Sequence, residues 1–214
     1  MRHPLGIDVV RAGLLAGAVA PIVAWSLTVV VILGWPGYDP IGQSISLLAT
    51  APLGGLQTLA FALSGVLGAA WALALSAILG STLRDRLAMR ALLLLQAVIA
   101  LGFAVLPTDP SGAPATTVGR LHLADFYAYA VTMPITLLAA GLVMRRDPRW
   151  HGSAKPTLLA ACLAIASIAL VPATIDGPLT PWLGLLERVF VAIPSIWQIG
   201  VSLVGLQVRA GASA

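Results

Sequence analysis

Charge is scarce in this chain: only 9% of its 214 residues are Asp, Glu, Lys or Arg. A soluble globular domain carries about a quarter, so composition excludes one. Cysteine is nearly absent. Cys162 stands alone, which excludes an intramolecular disulfide and a multi-cysteine metal site; it reads as a small apolar core residue of a span. Histidine occurs three times, and only His122 falls within a span, which excludes haem held by two membrane histidines. The alternating segments of about ten residues that mark a transmembrane barrel are missing. So are a phosphate-binding glycine loop and a Gly-x-Ser-x-Gly elbow.

Apolar residues take the vacated space, at 59% hydrophobic content and a mean hydropathy of +0.97. They fall into six runs, 11–33, 56–79, 88–107, 120–143, 156–174 and 185–208. Each run is roughly 19–24 residues, enough to cross a ~30 Å hydrocarbon layer as a helix. Lipid offers the backbone no partners, so the runs must be helical. Ala18-Val19-Ala20 has the small-x-small look of a signal cleavage site, but too few apolar residues precede it. The first run therefore reads as an uncleaved span. Residues 1–214 form one membrane domain of all-α class.

The basic residues alternate in side. Arg2 and Arg11 precede the first span; Arg84, Arg86 and Arg90 follow the second; Arg145, Arg146, Arg149 and Lys155 follow the fourth; Arg209 ends the sixth. Of the 12 basic residues only Arg120 and Arg188 break the pattern. Positive charge is retained on the cytoplasmic side. Both termini are thus expected inside a bacterial plasma membrane, with three connections outside. The pI near 10.0 reflects this placement and suits anionic lipid headgroups; no nucleic-acid partner is expected.

Small residues in Gly13-x-x-x-Gly17, Ser64-x-x-x-Gly68 and Gly65-x-x-x-Ala69 permit close helix approach. Pro21, Pro134 and Pro194 should kink the first, fourth and sixth spans. In the first outward connection Ile41, Ile45, Leu48 and Ala49 share a helical face, with Gln43, Ser44 and Ser46 off it. That predicts a short amphipathic helix in the interface. Trp35, Tyr38 and Trp182 suit an outer aromatic belt and Trp150 an inner one. Each outward connection carries an acidic turn, at Asp39, Asp109 and Asp176: turn chemistry, with a convergent acidic rim as the alternative.

The sharpest constellation is Arg120-x-His122-x-x-Asp125 at the outer end of the fourth span. His122 and Asp125 share one helix face. Glu187-Arg188 lies at similar depth in the sixth span. Charges in spans are costly unless paired, so Asp125–Arg188 or Arg120–Glu187 pairs are expected. One reading is a clamp. Another is an outward polar pocket for a lipid headgroup or small amphiphile, with Arg120 and Arg188 on an anionic group and Trp35 and Tyr38 over it. Asp39, Gln43, Ser44, Ser46, Asp109 and Glu187 complete that candidate site. A third is a hydrolase or transferase with His122 as base, Asp125 orienting it and Ser44 or Ser46 as nucleophile. A metal on His122, Asp125, Asp39 and Asp109 would have one nitrogen ligand where zinc prefers several; no metal or cofactor is expected. Transport ranks last, because mid-span polar residues are few: Gln96, Thr132, Gln198 and scattered serines.

Tyr38-Asp39-Pro40-Ile41-Gly42-Gln43-Ser44-Ile45-Ser46, then Pro107-Thr108-Asp109, then Arg120-Leu121-His122 together resemble the bacterial and archaeal membrane family called domain of unknown function 998. The resemblance covers most of the chain. It implies a six-helix integral membrane protein with no established activity, and a recurring outer motif that includes these residues. Seven-helix membrane hydrolases that hold zinc with several histidines were also weighed; this chain is one span and several ligands short of them.

Overall fold

In a computed structural model, residues 8–174 and 177–211 are described. Six helices dominate: α1 (Val9–Leu33), α2 (Gly54–Ile78), α3 (Leu83–Val105), α4 (Thr117–Arg146), α5 (His151–Ala169) and α6 (Leu183–Gly211). All six are long and apolar enough to span a membrane, and no strand occurs among the described residues. Several run past the expected limits into polar sequence. Side-chain caps mark where they begin. Asp8 accepts from the Arg11 amide at 3.0 Å, Thr82 from the Asp85 amide at 3.1 Å, and Thr116 from the Gly119 amide at 3.0 Å.

Successive helices pack as antiparallel neighbours, and α6 closes back on α1, giving a ring. Small residues set the spacing. The missing side chain of Gly13 admits Ala70 and Ala74 of α2, that of Gly17 admits the Trp71 indole, and that of Gly65 admits Leu101 of α3. The expected close-approach motifs are thus used. Pro21 has no N–H, so the Gly17 carbonyl one turn back loses its helical donor. Gln198 of α6 supplies one instead, Nε2 to O at 3.1 Å.

One end of the ring carries most of the basic residues. There Arg209 pairs with Asp8 at 2.6 Å, and Arg146 lies 3.9 Å from Asp85. The Arg149 guanidinium reaches both Asp147, at 2.7 Å, and the Ile78 carbonyl ending α2, at 3.1 Å. It holds the Asp147 carboxyl below the usual carboxylate range. Trp150 donates to the same carbonyl and is fully buried, so it is core, not an inner belt residue. Leu75, Leu79, Met89, Leu137 and Met144 fill the space around it. Cys162 also departs from expectation: it is exposed on α5, not in the core.

The opposite end is closed by the 34–53 connection. Its expected helix over Ile41–Ala49 survives only as a 3-10 helix, Ser46–Thr50. Bonds to α6 explain the difference. A helix here would pair the Ile45 amide with the Ile41 carbonyl; instead that amide donates to Glu187 at 2.8 Å, and that carbonyl accepts from the Leu185 amide at 2.9 Å. The Asp39 carboxylate caps the preceding turn, taking the Ile41 and Gly42 amides at 2.9 and 3.0 Å, and the Gln43 side chain takes the Asp39 amide at 2.9 Å. Ile41 is left exposed, while Ile45, Leu47 and Leu48 pack with Val31 and Tyr38 as a small core over the bundle.

Candidate functional site

The lid over the bundle is tied to α6 by Arg188 and Glu187 and by the Leu185 amide on the Ile41 carbonyl at 2.9 Å. Arg188 donates to the carbonyls of Pro40 (2.7 Å), Gln43 (3.0 Å) and Gly184 (2.8 Å), and to the Tyr38 hydroxyl. That hydroxyl in turn donates to the Ser44 carbonyl at 2.6 Å. The guanidinium also lies over the Tyr38 ring, 5.4 Å from its centre. Burial pushes the Tyr38 phenol up, and Arg188 pulls the other way. Trp35 stacks on Tyr38 at 5.4 Å. Tyr38 is therefore buried inside the lid, not placed in an outer belt.

Glu187, the next residue, turns inward. Its carboxylate accepts from the Ile45 amide at 2.8 Å and lines a cavity of ≈ 170 Å³ inside the ring. That is about tenfold what one water needs. Ser46 of the lid lines it too. Deeper in, the walls carry the glutamines Gln57, Gln96 and Gln198 and the indoles of Trp25, Trp71 and Trp197. Thr28 donates to the Gln57 side-chain carbonyl at 3.0 Å. Gln96 donates to Thr132 and Thr136, at 3.0 and 3.1 Å. Two polar atoms of lining residues, Trp71 Nε1 and Gln96 Oε1, are buried without a partner among the described residues. The Trp71 indole, Nε1 included, lies against Gly17 of α1. Three glutamines and Glu187 set into largely apolar walls make the cavity the site of chemical interest. No cationic side chain lines it.

The charges singled out in the sequence pair differently from expectation. Arg120 bonds its own helix start, to the Ala115 carbonyl at 3.2 Å and the Thr117 hydroxyl at 3.1 Å. With Glu187 on Ile45 and Arg188 on the lid, neither the Asp125–Arg188 nor the Arg120–Glu187 pair forms among the described residues. Ordinary carbonyl and amide groups have displaced them as partners. Asp109 accepts from the Thr116 amide and hydroxyl, at 2.9 and 2.7 Å. Those bonds hold its carboxyl below the usual range. Asp39 and Asp109 each serve their own loop, and Asp176 lies outside the described residues. No group of three His, Cys, Asp or Glu comes together among the described residues.

His122 is buried. Its Nδ1 lies 2.6 Å from the Leu106 carbonyl. A carbonyl only accepts, so Nδ1 carries the hydrogen, and Nε2 is left without a partner. Asp125 sits in the space left by Gly102, with Oδ2 also unpartnered. Phe103, a cavity residue, packs against the His122 ring at 5.3 Å. Ser44 Oγ accepts from the Leu47 amide at 3.3 Å, and Ser46 lines the cavity. No hydroxyl bonds His122 Nε2, as a nucleophile–base pair requires.

Sequence reasoning passed over Gln57, Thr28, Thr136, Trp25, Trp71 and Trp197. The signal available was four glutamines in three apolar runs, Gln57, Gln96, Gln198 and Gln207. A glutamine turned to lipid is costly, so the three away from the basic end argue for a shared interior.

The architecture defines a class, the multi-pass helical membrane bundle. Residues 18–204 match the family described as Protein of unknown function (DUF998), and the chain belongs to that family. No curated protein and no solved structure matches it.

Proposed function

We propose that this protein binds a small amphiphile, with the polar head inside the ring cavity and the lid of residues 34–53 above it. The observation that carries this reading is the set of polar side chains Gln57, Gln96, Gln198 and Glu187 in the largely apolar walls of one cavity. A head bearing a hydroxyl can donate to and accept from such a set. An anionic headgroup fits poorly: Arg120 and Arg188 are bonded elsewhere, and the one ionisable carboxyl group of the lining is an acid. Tyr38, Asp39, Gln43, Ser44 and Arg188 serve the site by holding the lid. Transport through the bundle is opposed by the packed core at the basic end.

Trp25, Trp71 and Trp197 make the reading testable. A single-chain neutral amphiphile with a brominated chain should quench tryptophan fluorescence of the purified protein saturably. The unbrominated form should relieve the quenching. Quenching that rises linearly with amphiphile and resists competition would dispose of the reading.

The basic end belongs, in the same proposal, on the cytoplasmic side of a bacterial plasma membrane, by the retention of positive charge there. Ser81 and Ser111 are exposed at opposite ends. In a Cys162→Ser background, Ser111→Cys should react with an impermeant thiol reagent added to intact cells, and Ser81→Cys should not. The reverse pattern inverts the orientation.

A further inference from the structure

A second concavity lies on the outer, lipid-facing surface of the ring, along the α1–α6 seam. Ile22 and Val29 of α1 and Ile196 and Ile199 of α6 line it. Exposed isoleucines are ordinary on a membrane protein. What is not ordinary is the back wall: Pro21, Trp25 and Ser195 line both this groove and the interior cavity. The seam is thus one side chain thick there. A hydrogen bond from Trp25 Nε1 to Ser195 Oγ, 3.1 Å, crosses it.

Few polar ties hold the seam at this height. Pro21 deletes a ladder bond in α1, made good across the seam by Gln198, and Pro194, a cavity residue, deletes one in α6. Ser195 keeps its own donation to the Val191 carbonyl, 2.8 Å, whether or not Trp25 is bonded to it. Swinging the indole aside breaks one neutral hydrogen bond, a weak tie in a membrane, together with its packing on the lid core, and leaves the Gln198–Gly17 bond in place. The two concavities differ in character. Gln57, Gln96, Gln198 and Glu187 line the inner one among apolar residues, whereas the outer one is apolar but for Ser26 and Ser195.

We infer that the α1–α6 seam is a lateral portal, gated by Trp25 and Ser195, through which a bilayer-dissolved, single-chain neutral amphiphile places its head in the cavity while its hydrocarbon chain stays in the outer groove. The inference rests on the amphiphile-binding reading above and adds the route and the chain's resting place. Its occupant follows from the polarity step across the shared wall: a head that bonds on one side, a chain that wets isoleucine on the other.

The probe is a monoacylglycerol with a diazirine in its acyl chain, in phosphatidylcholine vesicles holding the full-length protein. Irradiation should label residues 22–29 and 192–199 about tenfold over the lipid faces at Val98 and Leu159, and excess unlabelled monoacylglycerol should erase only the seam label. Ser26 lines the groove but not the cavity. Ser26→Trp should slow quenching by a brominated monoacylglycerol about tenfold and leave its final amplitude alone. Saturable quenching with label spread evenly over all helices, or with an unchanged Ser26→Trp rate, overturns the portal and leaves the cavity reading standing. Absence of saturable quenching overturns both.

Discussion

Replacing Arg188 by Met should lower the stability of the detergent-purified protein by about 3 kcal/mol, the scale of one or two lost charge-assisted hydrogen bonds. Methionine keeps the apolar stem. What goes is the guanidinium fork that collects the Pro40, Gln43 and Gly184 carbonyls and the Tyr38 hydroxyl. Gly184 keeps its place in the α6 ladder, whereas the Tyr38 hydroxyl has one hydrogen to share between the Ser44 and Gln43 carbonyls. The Pro40 carbonyl loses its 2.7 Å donor, and the lid is left with the Leu185–Ile41 and Glu187–Ile45 bonds to α6. In a chain of this size the change corresponds to a fall in Tm of about 6–12 °C. Arg188→Lys should recover less than half, because an ammonium cannot span the same fork. Tyr38→Phe should cost about 1 kcal/mol. Proteolysis of the 34–53 connection should accelerate in the same order. An Arg188→Met protein within about 0.5 kcal/mol of the parent would show that the Ile45–Leu47–Leu48 core and the Glu187 and Leu185 bonds hold the lid without Arg188.

The spans were legible because the solvent leaves no choice. An apolar run of bilayer length must be helical, and each expected run lies largely within one observed helix. Their ends were less legible. Hydropathy sees only the lipid-bathed part, so α3 begins at Leu83 where Thr82 caps it, and α4 continues to Arg146. The lid differs from expectation because of a distant partner. The Ile41–Ala49 pattern has helical periodicity, but α6 takes both the Ile41 carbonyl, through the Leu185 amide, and the Ile45 amide, through Glu187, which a helix there would bond to each other.

The candidate site shows the same division between what one helix reveals and what two helices decide. That His122 and Asp125 share a face was readable from their spacing. Which residue of α6 would meet Asp125 depended on helix rotation and depth, which spacing within α4 does not contain. Gln57 and Trp71 illustrate the limit most plainly. A polar residue in an apolar run looks the same whether it bonds a neighbour or faces an internal space. Only the ring closure of α6 on α1 makes that space.

Gln96→Leu should separate binding from folding. The side chain donates to Thr132 and Thr136, but those hydroxyls are bonded already, to the Ala128 carbonyl at 2.7 Å and the Thr132 carbonyl at 2.8 Å. Deleting the amide strands neither hydroxyl. Two donations of roughly 0.6 kcal/mol each disappear, and so does a buried carbonyl with no partner, a burden of about 1–3 kcal/mol. The empty protein should therefore be unchanged or more stable by about 1 kcal/mol, while affinity for a hydroxyl-bearing amphiphile falls at least about tenfold. Trp71→Phe makes the complementary cut. A ring still packs between Gly17 and Trp197, but the Nε1 donor goes together with the second ring of a residue only 4% exposed, so a stability loss of about 1–3 kcal/mol is expected beside the change in affinity. If both atoms engage one hydroxyl, the double variant should bind little worse than either single one, a coupling that a double-mutant cycle reads directly. Additive losses would place the two atoms in separate contacts. A Gln96→Leu protein that unfolds easily yet binds normally would mean the glutamine is a strut between α3 and α4, and that the cavity takes its ligand by some other group.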